Sequence, residues 1–482
     1  MRRRAPRNPS VSRGAKEKDM RRNEEALAHE RVGALILKFS IPSIVGMLVN
    51  GLYNVMDRVF VGRGVGPEAL AGVAIVFPLM LLVMAIGMLV GLGASSLIAL
   101  KLGEGKREEA EAAVGTAATM ALLMSAAFTL VVAAFMRPIL VFFGGSGVVL
   151  DYALQFTRVY LPGMFLQILS FSLNNMIRGQ GDPVTALLTM VISCGVNCAL
   201  NPLFIFGCRL GIAGSALATD IAQLVSCTWL LAVYLTTKKG IRLRPAIMRP
   251  RADVARDILG IGMVPSFVQV ANVATLILAN NLVVRYGGDR GVTVMGIASS
   301  LVNLMLMPII GVNTGIQPVI GFNYGARLYD RARKTLWLAV AGVCGICVAG
   351  YGLFWTFSRE LIGLFVAASP DLVDLGVSSL RIYLSSIPVV GIVMLGTGYF
   401  QAVKKPAQAL VPNAIRQLLL LVPLYLVLPR FFGLAGVWMA GPITDAVSVL
   451  VTLAFILPEM RALAAKGRLE VSEDLEAPLA TA

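Results

Sequence analysis

The sequence predicts an all-α polytopic membrane protein, with twelve transmembrane helices in two six-helix lobes that are parallel repeats around a central cleft. Composition is the first reason. Of 482 residues, 57% are hydrophobic and only 14% are charged, against about 25% charged in soluble domains, and mean hydropathy is +0.78. The second reason is a series of apolar runs, each able to hold the roughly 20 residues that a helix needs to cross a bilayer. The third is an internal duplication that covers both halves of the chain.

The apolar runs fall near 36–61, 70–98, 112–136, 148–175, 184–207, 211–236, 258–285, 293–322, 334–357, 372–401, 407–429 and 434–457. The 48 glycines and 23 prolines fit a membrane bundle, where small residues let helices approach and neighbouring helices cover broken backbone. Residues 1–34 form a basic tail without the apolar stretch of a cleavable signal peptide. Residues 237–257 carry seven Lys/Arg plus Pro245 and Pro250 and divide an N-lobe (35–236) from a C-lobe (258–457). A second tail covers 458–482.

The halves align at a shared offset. Pro42-Ser43 matches Pro265-Ser266 at 223, and Gly72, Gly87 and Gly91 match Gly296, Gly311 and Gly315 at 224. Gly103 matches Gly325 at 222, Pro183 matches Pro406 at 223, and Gly211, Ala213 and Gly214 match Gly433, Ala435 and Gly436 at 222. Six spans per half bring both halves in from the same side, so the repeat axis runs along the membrane normal. Of 42 Lys and Arg, 31 fall on the side of the termini and 10 on the other, with Arg416 inside a helix. By the positive-inside rule this places both termini in the cytoplasm of a multi-pass protein of the plasma (inner) membrane, in contact with its lipids. The net charge of +15 is accounted for by that asymmetry, and no nucleic acid is expected as a partner.

One acid organises the polar residues. Asn50, Asn54 and Asp57 share a face of the first span, with Tyr53 at its edge. A carboxylate in hydrocarbon costs about 2.5–3.5 kcal/mol, so it faces a cavity or a partner. The counterpart of Asp57 in the second half is Asn280, which assigns ion handling to the first lobe. The fifth span carries Asn197 and Asn201 on one face, and the sixth carries Thr219 and Asp220. Counted from the connecting turns, Asp57, Asn201 and Thr219 lie within roughly 6 Å in depth at 1.5 Å per residue. Their oxygens suit Na⁺ or a protonated carboxyl. Asp220 follows Thr219 by 100°, so only one of the two is expected to face the cluster. Arg416 and Asp445 lie at similar depth on paired helices, and a structural ion pair is expected there.

Other chemistry is thinly represented. The only histidine, His29, lies in the N-terminal tail, which rules out a His-based triad. There is no GxxxxGK[ST] phosphate loop for ATP hydrolysis. The cysteines, including Cys194/Cys198 and C-x-x-C at Cys344 and Cys347, sit in apolar runs as packing residues. No metal site is expected beyond Na⁺ at Asp57, and no cofactor.

Three stretches carry a family likeness. GVNTGIQPVIGFNYGARLYDR (311–331), VMDRVFVGRGVGPEALAGVAI (55–75) and RGQGD (178–182) resemble signatures of the multidrug and toxic compound extrusion family, and the likeness runs from about 35 to 457. The resemblance implies secondary active efflux of amphipathic, often cationic compounds in exchange for Na⁺ or H⁺, by a monomer and with no enzymatic step. It makes Asp57 the first-helix coupling acid and Pro42 a conformational hinge. It sets Tyr53, Asn197 and Thr219 in the N-lobe network, with Asn174 or Asn175 as the fourth-helix amide. Many members have an aspartate where this chain has Asn201, so the site holds one fewer charge. The main alternative is a lipid-linked oligosaccharide flippase of the same superfamily, which needs several cations in the cleft for a pyrophosphate. An intramembrane enzyme is a weaker one.

Overall fold

The computed structural model describes residues 26–236, 241–244, 247–363 and 370–476, which are almost entirely helical. The first lobe consists of α1 (Val32–Gly64), α2 (Pro67–Gly103), α3 (Arg107–Phe142), α4 (Gly147–Gly179), α5 (Pro183–Pro202, continued by a π turn Leu203–Gly207) and α6 (Ile212–Thr236). The second consists of α7 (Ala252–Gly288), α8 (Arg290–Gly325), α9 (Tyr329–Thr356), α10 (Val373–Ala402), α11 (406–432) and α12 (434–476). Among the described residues, ten helical stretches are long and apolar enough to cross a membrane. One of these, Pro406–Arg468, reverses at Gly433 (φ 57°) and supplies two crossings. The 33-residue α4, more polar through Asp151, Arg158, Gln167 and Asn174, completes the twelve.

The duplication is visible in the backbone. Left-handed turn residues recur at the sequence offset: Gly66 with Gly288, Gly105 with Arg327, Gly181 with Lys404, and Gly211 with Gly433. Glycine has no Cβ to oppose a positive φ, which is why turn residues are such durable markers of the repeat. Parts of three segments expected to be tails or linkers are ordered among the described residues. Leu27 is buried, the Asn323 amide and the Arg331 guanidinium both donate to its carbonyl, and Arg331 also donates to the Glu30 carbonyl at 2.7 Å. The helix of α12 continues to Glu476 rather than ending near 457. In the inter-lobe connection, the Ile241 N–H donates to Gln180 Oε1 and Thr119 Oγ1 donates to the Met248 carbonyl, pinning it along α3.

The lobes join in the half of the bundle that carries the termini and basic loops. There, one apolar core combines Val90, Leu97 and Ile98 of α2 and Leu173 of α4 with Val254, Ile258 and Ile261 of α7 and Val319 and Phe322 of α8. At the opposite, far end the cores are separate. Val61, Ala69, Phe156, Ile205 and Ile212 belong to the first lobe; Ala279, Val294, Leu421, Val437 and Trp438 belong to the second.

Backbone-on-backbone contacts form the seal. A Cβ on Gly103 would overlap the Phe322 carbonyl, and one on Gly325 would overlap the Leu100 carbonyl, a reciprocal pair at the repeat offset. Gly93 and Gly262 are held the same way against Ile258 and Leu89, and Gly315 against Phe39. Close approach of small residues is how helices gain contact where lipid removes the hydrophobic drive. Substituting Gly325→Leu is therefore expected to wedge this end apart at about 1–3 kcal/mol of overpacking. Labelling of a cysteine placed at the seam by a membrane-impermeant thiol reagent should rise in that variant; unchanged labelling would contradict the contact.

Candidate cation site in the first lobe

α1 carries Asp57 seven residues before its end, at a depth where α5 and α6 are its neighbours. α5 ends at Pro202 and opens into the π turn Leu203–Gly207, a local widening common at functional positions. This leaves Asn197 and Asn201 on the face toward α1. On α6, Ser215 and Thr219 lie one turn apart on the matching face.

The hydrogen bonds form one chain across three helices. Asp57 Oδ1 accepts from Asn201 Nδ2 at 3.0 Å and from Ser215 Oγ at 2.7 Å. Asn201 Nδ2 also donates to Asn197 Oδ1 at 2.9 Å, and Asn197 Nδ2 donates to Thr219 Oγ1 at 3.2 Å. All five residues are buried, Asp57 being 9% exposed and Asn201 fully enclosed. A hydrogen bond to a charged group contributes about 1.5–3 kcal/mol, so the two donors together offset the cost of placing Asp57 in hydrocarbon. The buried Asn201 Oδ1 has no hydrogen-bond partner. An orphaned acceptor beside a carboxylate is a donor set for a hard monovalent cation, and the same carboxylate can hold a proton. Among the described residues, no group of three His, Cys, Asp or Glu could hold a metal ion.

The other candidates are distributed as follows. Thr219 faces the cluster and Asp220 does not: the Asp220 carboxylate lies against α4 at Gly163, where a Cβ would collide with it, and its Oδ1 is buried without a partner. Asn174 and Asn175 stand near the other end of α4, apart from Asp57. Asn174 Nδ2 donates to the Ala186 carbonyl, Asn175 Nδ2 to the Phe171 carbonyl, and both side-chain oxygens accept from Arg178 at 3.4 Å. Arg178, one of the 31 cations on the side of the termini, is 3% exposed. α1 runs unbroken through Pro42, with the Ser43 hydroxyl donating to the Phe39 carbonyl. The side chains of Tyr53 and Asn54 lie outside the described residues. Arg416 Nε donates to Asp445 Oδ1 at 2.8 Å, and Ser386 Oγ donates to Asp445 Oδ2 at 2.8 Å.

Ser215 was not anticipated. It precedes Thr219 by one helical turn, so the i, i+4 rule that paired Asn197 with Asn201 would have found it.

Toward the basic half of the same lobe is a cavity of about 90 Å³ lined by Asn50, Gln167, Asn174, Ser193, Gln223 and Ser226, among others. Drug-sized ligands occupy about 300–1,000 Å³, so this space fits a polar headgroup and not a whole amphipathic compound.

The second lobe does not repeat this chemistry. At the repeat offset, Asn197 and Asn201 become Leu420 and Leu424, Ser215 becomes Val437 and Thr219 becomes Gly441. Leu424 and Val437 join the second lobe's apolar far-end core. Asn280, opposite Asp57 in the repeat, is exposed.

A duplicated two-lobe helical bundle, joined at one end and polar inside one lobe, defines a membrane transporter. Comparisons with known proteins agree. The MatE family model matches twice, over residues 42–203 and 265–427, at the same 223-residue spacing. Multidrug export protein MepA of Staphylococcus aureus (strain MSSA476) is 24% identical over 428 residues, covering 87% of this chain and 92% of that protein. MepA of Staphylococcus haemolyticus (strain JCSC1435) is 25% identical over 434 residues, covering 88% and 93%. Among solved structures, an outward-facing multidrug resistance MATE family transporter superposes with a TM-score of 0.84 at 27% identity, covering 91% of this chain and 98% of that one. A MOP superfamily transporter from Pyrococcus furiosus, described as having reversed binding-pocket polarity, gives 0.85 at 26% identity, with the same coverage. The chain belongs to the MatE family, the multidrug and toxic compound extrusion transporters, and is not an enzyme.

The Asp57–Ser215 bond can be weighed by a double-mutant cycle. Ser215→Ala should lower stability by about 1.5–3 kcal/mol when Asp57 is present, and by the ~0.5–1.5 kcal/mol of a neutral bond in Asp57→Asn. Thermal unfolding in detergent measures it; equal costs in both backgrounds would show that the bond carries no charge.

Proposed function

We propose that this protein exports amphipathic, often cationic compounds in exchange for Na⁺ or H⁺ by alternating access, with Asp57 as the coupling acid. The reading rests chiefly on the Asp57–Asn201–Ser215 cluster: a single buried carboxylate, two donors and an orphaned amide oxygen, confined to one lobe. On this reading both termini are cytoplasmic, the joined basic half is the cytoplasmic side, and the separate far-end cores correspond to an outward-open state. An external cation or proton reaches Asp57 in that state, neutralises it and weakens the demand on its two donors. The helix that carries Asp57 also packs along α8 through Gly311 and Gly315. A change at Asp57 therefore acts on an inter-lobe contact. Pro42, within that contact, lacks the N–H that would bond the Lys38 carbonyl and is the weak point at which α1 bends.

One monovalent cation entering down ~100 mV releases about 2.3 kcal/mol. That supports a roughly 50-fold gradient of a substrate moved without net charge, at 1.36 kcal/mol per decade. Export of a monovalent cation for one entering ion is electroneutral, and the chemical gradient of the coupling ion then drives transport. The N-lobe cavity is suited to the substrate's polar headgroup, with the central cleft taking its apolar body. The chain is read as working alone, as a monomer surrounded by lipid.

A flippase for a lipid-linked pyrophosphate calls for uncommitted cations. The deep arginines Arg178 and Arg416 are engaged by Asn174, Asn175 and Asp445, which favours the efflux reading.

Proteoliposomes with an imposed Na⁺ or pH gradient test it. Asp57→Asn is expected to reduce gradient-driven ethidium efflux by at least an order of magnitude, while ethidium binding to the purified protein persists, since coupling and not binding is removed. Undiminished gradient-driven efflux by that variant would remove Asp57 from the coupling role. Whichever gradient drives the wild type identifies the ion.

A further inference from the structure

The two lobes carry one internal scaffold with two different fillings. RVYL at 158–161 in α4 recurs as RIYL at 381–384 in α10, at an offset of 223. In that register Gly163 corresponds to Ser386, and across α5 and α11 Ser193 corresponds to Arg416. Across α6 and α12 the offset is 222, fixed by Gly211 and Gly433, and Gln223 corresponds to Asp445. Ser193 and Gln223 line the first lobe's cavity. Their counterparts, Arg416 and Asp445, form the second lobe's buried ion pair.

Local structure aims the arginine inward. α11 contains Pro412, whose missing N–H interrupts the regular ladder, and widens into a π turn over Ile415–Leu421. Arg416 lies in this turn and keeps its side chain three-quarters buried. Asp445, 9% exposed, accepts from Arg416 Nε through one oxygen and from Ser386 through the other, each at 2.8 Å. Beside them Gln417 Nε2 donates to Asn272 Oδ1 at 2.8 Å. The α10 positions that correspond to Gln167, Ser170 and Phe171 of the first cavity are Val390, Val393 and Met394. Asn174, Cys194 and Ser226 of that cavity correspond to Thr397, Gln417 and Ser448, so the second lobe keeps a mixed polar and apolar lining in which Asp445 is the charged group facing Arg416.

We infer that Arg416 is a tethered cation: its guanidinium occupies the second lobe's copy of the N-lobe cavity, and clearing it exposes a site for a small, planar organic cation of the guanidinium class. The pair differs from a helix-to-helix brace in what it predicts. A brace contributes by joining α11 to α12, and a free ligand cannot replace it. A tethered ligand can be replaced by the same chemical group supplied from solution, because the pocket, and not the covalent stem, recognises it. The inference does not depend on Asp57 or on which ion drives transport, because its readout is binding.

The test is chemical rescue of full-length purified protein. Arg416→Ser restores the residue found at the equivalent position of the first lobe and should lower Tm. Millimolar methylguanidinium should recover most of that loss. Tetramethylammonium, which has no N–H to donate, and NaCl at equal ionic strength should not. The wild type, already filled, should not respond to methylguanidinium, and neither should Arg416→Ser/Asp445→Asn, which lacks the anion. If Arg416→Ser aggregates when prepared alone, its recovery as a monodisperse species only when methylguanidinium is present throughout supports the inference. Three results would overturn it: no selective rescue of Arg416→Ser by methylguanidinium, an equal response from the double variant, or aggregation with and without the ligand together with a folded Arg416→Gln variant that fails to respond.

Discussion

A carboxylate at bilayer depth has to be satisfied by protein, and two hydrogen bonds to Asp57 form where α1, α5 and α6 stand together. Asn201 approaches from α5 and Ser215 from α6; removing either helix strands a charge in a low-dielectric interior, the costliest outcome available there. That requirement fixes the far half of α1 in the first lobe. The basic half of the same helix lies against α8 of the second lobe, with Gly315 over Phe39 and Gly311 over Ile44. α1 is thus the element common to the polar cluster and to the inter-lobe seal.

Duplication supplied two equivalent frameworks, and side-chain chemistry separated their roles. In the first lobe the space around Asp57 is polar; in the second, Leu420, Leu424 and Val437 take the equivalent positions. An apolar far-end core needs no ionisable partner and gains stability from packing alone. The second lobe keeps its charge in the Arg416–Asp445 pair, where cation and anion compensate each other within one pocket. The deep carboxylate Asp445 is already neutralised by Arg416, which accords with the proposal that ion handling belongs to the first lobe.

Much of this was legible in the sequence because periodicity and offset are local properties. Apolar runs located twelve helices to within a few residues at most ends, and the glycine offset forecast a duplication that the backbone repeats at its left-handed turns. The i, i+4 spacing paired Asn197 with Asn201, and depth counted from the connecting turns set Asn201 and Thr219 level with Asp57. Other features depended on tertiary direction. Ser215 was hidden among the small residues of GIAGSALATD, where a hydroxyl reads as packing. Asn174 and Asn175 matched a family pattern but face Arg178, a charge whose burial no hydropathy window reveals. α12 extends well past its apolar run, because hydropathy marks where lipid contact ends and a helix has no need to stop there.

Beside its apolar core, the seal between the lobes brings backbone against backbone, with glycines at Gly93, Gly103, Gly262, Gly315 and Gly325. Its character suits the opening joint that the proposed alternating access requires. Salt bridges buried at such a seam would leave uncompensated charges on parting, at several kcal/mol each, and would lock one state. Dispersion between close-packed small residues accumulates in steps of roughly 0.1–0.2 kcal/mol per atom pair, and lipid or cleft water can replace it as the surfaces separate. The reciprocal Gly103–Phe322 and Gly325–Leu100 contacts add a pseudo-twofold register to that seam, so the lobes can return to one closed arrangement after each opening. For the coupling proposed above, a few kcal/mol at Asp57 is on the right scale to bias such a joint, because the surface it would act on is held by many weak contacts.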